Sequence, residues 1–136
     1  MSNTAINRAF SQRLEGVATQ LGLRVASANI SFTPSTNEVY LMEALLPAIT
    51  TTPFLAAESL VYVGVYQVLV VGVADMGADH ATQIAEAIAA AFPVNDQLAT
   101  DTTLRIFVDQ PPTVGAGIAE QTSYNVPVSV NYRADS

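Results

Sequence analysis

The stretch ESLVYVGVYQVLVVGVADMGADHATQIAEAIAAAFPV, residues 58 to 94, decides the fold because it joins a long strand to an alanine-rich helix through a short acidic loop. Leu60 to Val73 is almost unbroken Val, Tyr and Leu, which favours a packed strand over a helix. Extended, this run would span about 46 Å, more than twice the usual strand length. We therefore expect bends or bulges at Gly64 and Gly72, in a strand that either curls around the core or projects toward a second subunit.

The second half of this stretch predicts an amphipathic helix. Asp79 is positioned to cap its start, where a carboxylate also suits the helix dipole. Pro93 ends it by disfavouring helical geometry at the preceding residue. The side expected to be buried consists of Ala81, Ile84, Ile88 and Phe92.

Residues 3 to 21 predict another amphipathic helix. Its apolar residues recur every three or four positions, with Gly22 suited to the left-handed conformation just after the helix end. The predicted buried stripe is Ile6, Phe10, Leu14, Val17 and Leu21.

Four further strands are predicted, at residues 24–32, 38–46, 103–108 and 124–132. The last alternates most regularly, but Pro127 cannot donate a hydrogen bond to a central ladder, so we expect an edge position or a bulge there. The element order helix-strand-strand-strand-helix-strand-strand predicts a single α+β domain over residues 1–136. Its sheet is mixed, mostly antiparallel and of about five strands, with both helices packed on it.

Composition excludes several kinds of chemistry. The chain has 136 residues, no cysteine and one histidine, so thiol nucleophiles, disulfides and a multi-histidine metal site within one subunit are excluded. Half of the residues are hydrophobic and only 12% are charged, against about 25% in soluble domains. Such a composition favours burial between subunits.

The charge balance disfavours binding to a phosphate backbone. All five cations are arginine, and the net charge is −7. This acidity serves either solubility or a surface that does not adhere to passing DNA. No apolar run is long enough to cross a membrane, and we expect a chain that is neither membrane-bound nor exported.

No reactive constellation emerges, and we expect no catalytic, cofactor-binding or metal-binding residue. Asp75, Asp79 and His80 are close in sequence, but a helix cap followed by an exposed first turn explains them better than a metal site. Glycine-rich phosphate loops and GxSxG elbows are absent. The tyrosines offer stacking surfaces, yet without basic neighbours we interpret them as packing residues.

The chain resembles the small tail-terminator proteins of long-tailed bacteriophages along nearly its whole length. The residues that carry the resemblance are NISFTP at Asn29–Pro34, Tyr40-Leu41, Leu46-Pro47-Ala48, Gly64-Val65-Tyr66-Gln67-Val68, IAEAIAAAFP at Ile84–Pro93 and VPVSVNYRAD at Val126–Asp135. These are packing and turn residues, and no catalytic residues transfer with them.

The resemblance implies a virion protein assembled in the host cytoplasm as a homohexameric ring. The ring would cap the head-proximal end of the tail tube, stop polymerisation of the major tail tube protein and meet a head-completion or connector protein. Genomic DNA would cross its lumen without specific binding. Alternatives are another head–tail connector or neck protein, a small-ligand-binding domain and, last, an enzyme.

Subunit or partner contacts are the sites that this function needs. Arg105 lies in an otherwise apolar strand and pairs either with a carboxylate of its own chain or with one of a neighbouring subunit. The apolar tip of the loop at residues 48–57 either backs the domain or docks into a neighbour. The interface candidates are Arg105, Thr51, Pro53, Phe54, Leu55, Gly115, Gly117 and Pro127.

Overall fold

The structure, a computed structural model, describes residues 2–27, 38–48, 61–73, 78–98, 105–119 and 123–135. It contains helices α1 (Ser2–Leu21) and α2 (Ala78–Ala90). The strands are β1 (Arg24–Ala26), β2 (Tyr40–Pro47), β3 (Val61–Val73), β4 (Gln97–Leu98), β5 (Arg105–Val108), β6 (Thr113–Val114), β7 (Ile118–Ala119) and β8 (Ser123–Asp135). The α+β prediction is confirmed.

One mixed sheet, mostly antiparallel, runs in the order β1-β2-β3-β8-β5-β4, and among the described strands only β1 and β2 pair in parallel. Its centre is the pair β3 and β8, whose register runs unbroken from Val61 opposite Asp135 to Val73 opposite Ser123. The other side of β8 is shared along its length by β5, β6 and β7. The long strand predicted from sequence is therefore matched by a partner of equal length.

Helix α1 ends as the sequence predicts. Gly22 has a φ of 72°, and the Leu23 amide donates to the Ala18 carbonyl at 2.9 Å, which closes the helix. Its buried side departs from the predicted stripe, because Val17 is half-buried and Leu21 is 39% exposed. The buried residues of α1 are Ala5, Ile6, Ala9, Phe10, Leu14 and Ala18, whose alanines let the helix approach the sheet closely.

Helix α2 begins at Ala78, one residue before the expected cap, so Asp79 lies in the first turn. A carboxylate there still stabilises the positive end of the helix. The predicted buried side is confirmed, since Ala81, Ile84, Ile88 and Phe92 are all buried.

Four aromatic side chains join both helices to the central strands. The Phe10 ring stacks on that of Tyr66 with centroids 4.6 Å apart and lies 5.7 Å from Phe92 and 5.6 Å from Tyr132. All four residues are fully or almost fully buried. The core thus lies between the two helices and one face of the β3–β8 pair.

Of the bends or bulges expected at Gly64 and Gly72, the bulges are wrong, because the register of β3 with β8 continues through both residues. The glycines instead permit close approach. A Cβ on Gly64 would lie 2.6 Å from the Leu46 carbonyl oxygen and 2.6 Å from the Tyr132 hydroxyl. A Cβ on Gly72 would lie 3.2 Å from that of Ala81, where α2 packs on the strand.

The edge position or bulge expected at Pro127 is also wrong. Strand β8 has neighbours on both sides, and Pro127 stands in unbroken register opposite Leu69. Its carbonyl accepts a hydrogen bond from the Gly115 amide at 2.8 Å. Because N–H and C=O of one residue point to the same neighbour in an antiparallel strand, the missing donor faces away from β3. It falls between β6, which pairs with residues 128–129, and β7, which pairs with residues 124–125.

The described residues form three more strands than the five that the sequence predicts, and each of these three has two residues. Strand β4 lies in the polar segment that follows α2, and β6 and β7 flank the glycine-rich segment Gly115–Gly117. A strand of two residues is too short to show alternation in its sequence. These strands form because their backbones pair with β5 or β8. Residues 28–32 and 103–104 of the predicted strands lie outside the described part.

Candidate interaction surfaces

The sheet has a helix-free face, opposite α1 and α2, that carries apolar side chains. On it, Met42 and Leu46 of β2 and Val63 of β3 are 44%, 52% and 37% exposed. Leu46 stands opposite the half-buried Val65 in the register of the two strands. The outer face of an antiparallel sheet is ordinarily polar, so the exposed apolar side chains make this face a candidate contact surface.

A shallow depression of about 360 Å³ lies where this face ends. Its lining residues are Ala48, Val63, Gly64, Val65, Asp109, Gln110, Asn131 and Tyr132. Its polar rim is held in place, since the Asn131 side-chain amide donates to Gln110 Oε1 at 2.9 Å and the Asp109 amide donates to the Asn131 carbonyl at 2.8 Å. The Tyr132 hydroxyl is buried without a hydrogen-bond partner, and burial raises its pKa.

Two arginines border the apolar residues. Arg133 stands opposite Val63, and its Nε lies 3.0 Å from Asp135 Oδ1. Arg105 stands opposite Asp135 on β5 and is exposed. Within the described part of the chain no carboxylate forms an ion pair with Arg105. Its pairing with a neighbouring subunit stays a prediction.

The other predicted contact residues fall into two groups. Thr51, Pro53, Phe54 and Leu55 lie outside the described residues. The remaining three lie together at β8: Gly115 and Gly117 connect β6 to β7, and Pro127 stands beside them.

The two glycines have a packing role within the chain. A Cβ on Gly115 would lie 2.8 Å from Pro127 Cγ, and one on Gly117 would collide with the Tyr124 hydroxyl. Their role between subunits, like that of Pro127, stays a prediction.

A buried polar contact beneath α1 was missed by the sequence reasoning. Glu43 is 7% exposed, and its Oε1 accepts a hydrogen bond from the Ser11 hydroxyl. Its Oε2 has no hydrogen bond within the required geometry. Burial raises the pKa of this carboxyl, nearby Glu15 adds to the effect, and the Ser11 and Ser27 hydroxyls oppose it. Burial, with the Glu43 charge, also raises the pKa of Tyr66.

A sequence signal for this contact exists. In EVYLMEALL, Glu43 is in phase with Leu41 and Leu45, and alternation along a strand places all three on the core face.

A second polar contact ties α1 to the end of α2. The Arg13 guanidinium lies 2.7 Å from Asp96 Oδ2 and donates to the Ala91 carbonyl at 2.8 Å. It also lies 5.9 Å from the centroid of the Phe92 ring. Asp96, in the polar segment between α2 and β4, therefore has an ion-pair partner within the chain.

The described residues contain neither a metal-ligand cluster nor a membrane-spanning helix. Nowhere in the described ranges do three or more His, Asp or Glu side chains lie close enough to hold a metal ion. Neither described helix is long and apolar enough to cross a membrane.

Comparison with known proteins gives the family. The family model described as phage tail terminator protein matches residues 5–132. The chain therefore belongs to the phage tail terminator family and is a structural component of a phage tail. A comparison with curated proteins finds no match.

Two solved structures share the fold over nearly the whole chain. One is 33% identical, with a TM-score of 0.81, over 98% of this chain and 96% of its own. Another belongs to the virion of a native gene transfer agent particle; it is 17% identical, with a TM-score of 0.67, over 98% of this chain and 97% of that one. At that identity the second likeness concerns the fold alone.

Proposed function

We propose that the chain forms a homohexameric ring that caps the head-proximal end of the tail tube. The ring stops addition of major tail tube protein and presents its other side to a head-completion or connector protein. It assembles in the host cytoplasm, and each subunit is one domain without catalytic activity. The observation that carries this proposal is the family match, which spans residues 5–132.

The charge of the chain supports passage of DNA through the lumen without specific binding. Each subunit has a net charge of −7. A ring of six such subunits repels a phosphate backbone at close range, over a screening length of about 8 Å in physiological salt. Replacing acidic residues that line the lumen with lysine should slow DNA release. Ejection kinetics unchanged by those replacements would exclude the repulsion.

The proposed ring predicts a defined mass and symmetry. Six subunits of 14.3 kDa give about 86 kDa, to be measured by light scattering in solution and by native mass spectrometry after mixing with tail tubes. Image averages of the tube end should show sixfold symmetry. A chain that stays monomeric alone and on tubes would contradict the ring, and a ring that binds only the connector would favour another neck position.

A further inference from the structure

We propose that the helix-free face near β5 docks on the outer side of α2 of a second copy, so that this contact, repeated, closes the ring. This inference rests on the proposed function and deepens it by naming the two surfaces that meet. We call them the sheet corner, which comprises Leu46, Val63, Val65, Arg105 and Arg133, and the α2 stripe, which comprises Asp79, Gln83, Glu86 and Ala90.

The α2 stripe is acidic and accessible. Its four residues are spaced four, three and four apart, so they share one side of the helix, and all four are exposed. In the described ranges neither Asp79 nor Glu86 forms an ion pair with a cation of its own chain. Two carboxylates therefore face outward with no neutralising partner among the described residues.

The sheet corner carries two arginines, of which Arg133 pairs with Asp135 of its own chain and Arg105 has no ion pair among the described residues. Arg105 stands opposite Asp135 and Arg133 opposite Phe107, so the two arginines are diagonal neighbours, about 7 to 8 Å apart at Cα. Asp79 and Glu86 are seven residues apart along the helix, which is about 10.5 Å at the α-helical rise. Long arginine side chains cover the difference.

Apolar groups complete the match. The sheet corner presents exposed Leu46 and Val63 beside the depression of about 360 Å³. Val94, four residues after the last residue of α2, is 43% exposed. An apolar contact next to the ion pairs removes water from them, which strengthens their attraction.

The distribution of charge selects a second copy as the occupant. Arg8, Arg13 and Arg24 already interact within their own chain, and Arg133 pairs with Asp135, so Arg105 is the arginine of the sheet corner for which the described residues provide no ion pair. The carboxylates that it needs are present in the chain itself, on α2.

The two surfaces also lie on opposite sides of the two-layer domain. Helix α2 covers one face of the sheet, and the sheet corner belongs to the other. Contact between two different surfaces of identical subunits is head-to-tail, and such contacts produce rings when the rotation closes.

A charge exchange between the surfaces tests this contact. Arg105→Glu and Glu86→Arg each place like charges across the contact. Each should raise the protein concentration at which half of the chains are in rings about tenfold or more. The double variant Arg105→Glu/Glu86→Arg should restore assembly to near the native concentration. Controls with the same change in net charge are Arg8→Glu and Glu15→Arg on α1, which should assemble normally. Oligomer mass is measured by light scattering across protein concentrations, with circular dichroism to confirm folding.

Leu46→Glu provides a second test that does not depend on the ion pairs. Because Leu46 is half exposed, this variant should fold normally and assemble poorly. Its loss of assembly supports the contact, and normal assembly overturns it.

The outcomes separate this inference from the proposed function. If native rings form and both single charge variants form them equally well, the contact is wrong and the ring stands. Failure of the double variant to recover also overturns the pairing. If the variants form rings but no longer bind tail tubes, the sheet corner belongs to the tube. A native chain that never forms rings overturns both the contact and the ring.

Discussion

Replacing Glu43 by glutamine is expected to stabilise the protein at neutral pH and above. The carboxyl group is buried beneath α1, with Ser11 bonded to Oε1 and no partner for Oε2. Glutamine has nearly the same shape, keeps an oxygen that can accept from Ser11 and carries no charge. A buried polar group without a partner costs about 1 to 3 kcal/mol, and more when it is charged. We expect Glu43→Gln to raise the free energy of unfolding by about 1 to 2 kcal/mol at pH 8.

The pH dependence of this gain follows from the direction of the pKa shift. The pKa of Glu43 in the folded protein is raised above its unfolded value of 4.5. Its protonated form therefore contributes stability that is fully present below the unfolded pKa and is lost as the pH rises through the folded pKa. The advantage of the glutamine variant should be small near pH 4 and should grow to a plateau above the folded pKa.

Urea unfolding followed by circular dichroism from pH 4 to pH 8, at one fixed protein concentration, measures this difference. Gln12→Glu on the exposed side of α1 changes the charge by one unit without altering the buried carboxyl; it is the control and should leave the pH profile close to that of the native chain. A Glu43→Gln variant that is less stable than the native chain at pH 8, or whose difference does not change with pH, would refute this reasoning.

Four further substitutions test the packing by the same urea titration. Gly64→Ala places a Cβ 2.6 Å from the Leu46 carbonyl oxygen and should cost about 1 to 3 kcal/mol, whereas Gly16→Ala, with no atom within 4 Å, should stabilise by about 0.5 to 1 kcal/mol; equal effects would contradict the close approach. Phe10→Ala opens the aromatic cluster and should cost about 3 to 5 kcal/mol, so a loss below 1 kcal/mol would show that the cluster is not packed as described. Arg13→Met keeps the apolar stem over the ring but removes a half-exposed ion pair, and should cost at most about 1 kcal/mol; a larger loss would show a more buried contact.

The main elements could be predicted because their side-chain patterns are long. Val61–Val73 is thirteen residues of strand-forming sequence, and α1 repeats its apolar residues over twenty residues. The end of α1 at Gly22 was predictable because a left-handed residue favours glycine. These features depend on local periodicity, which one sequence displays.

The errors concern features that depend on a neighbouring strand or helix. Gly64 was interpreted as a bend or bulge from local sequence. Glycine is required there because Tyr132 of β8 leaves no room for a Cβ. Pro127 was assigned to an edge because the sequence cannot show which neighbour a missing donor faces. The burial of Glu43 depends on α1, which covers this part of the sheet, and the sequence of the strand does not show that contact.

The candidate interaction surface was only partly predictable from the sequence. A low charge content indicated burial between subunits, and Arg105 was identified as an unusual charge inside a strand. The exposed apolar side chains of Met42, Leu46 and Val63 were not identified, because their face is fixed only by the register of β2 with β3. Strand alternation alone does not say which face the helices cover.

The most direct test of the central claim is the length distribution of tail tubes assembled with this chain. Purified major tail tube protein is polymerised with increasing amounts of the chain, and tube lengths are measured by electron microscopy. A terminator that caps one end should shorten the tubes as its ratio to tube protein rises, with a ring visible at one end of each tube. A length distribution that is the same at every ratio, with no ring at either end, would contradict the account.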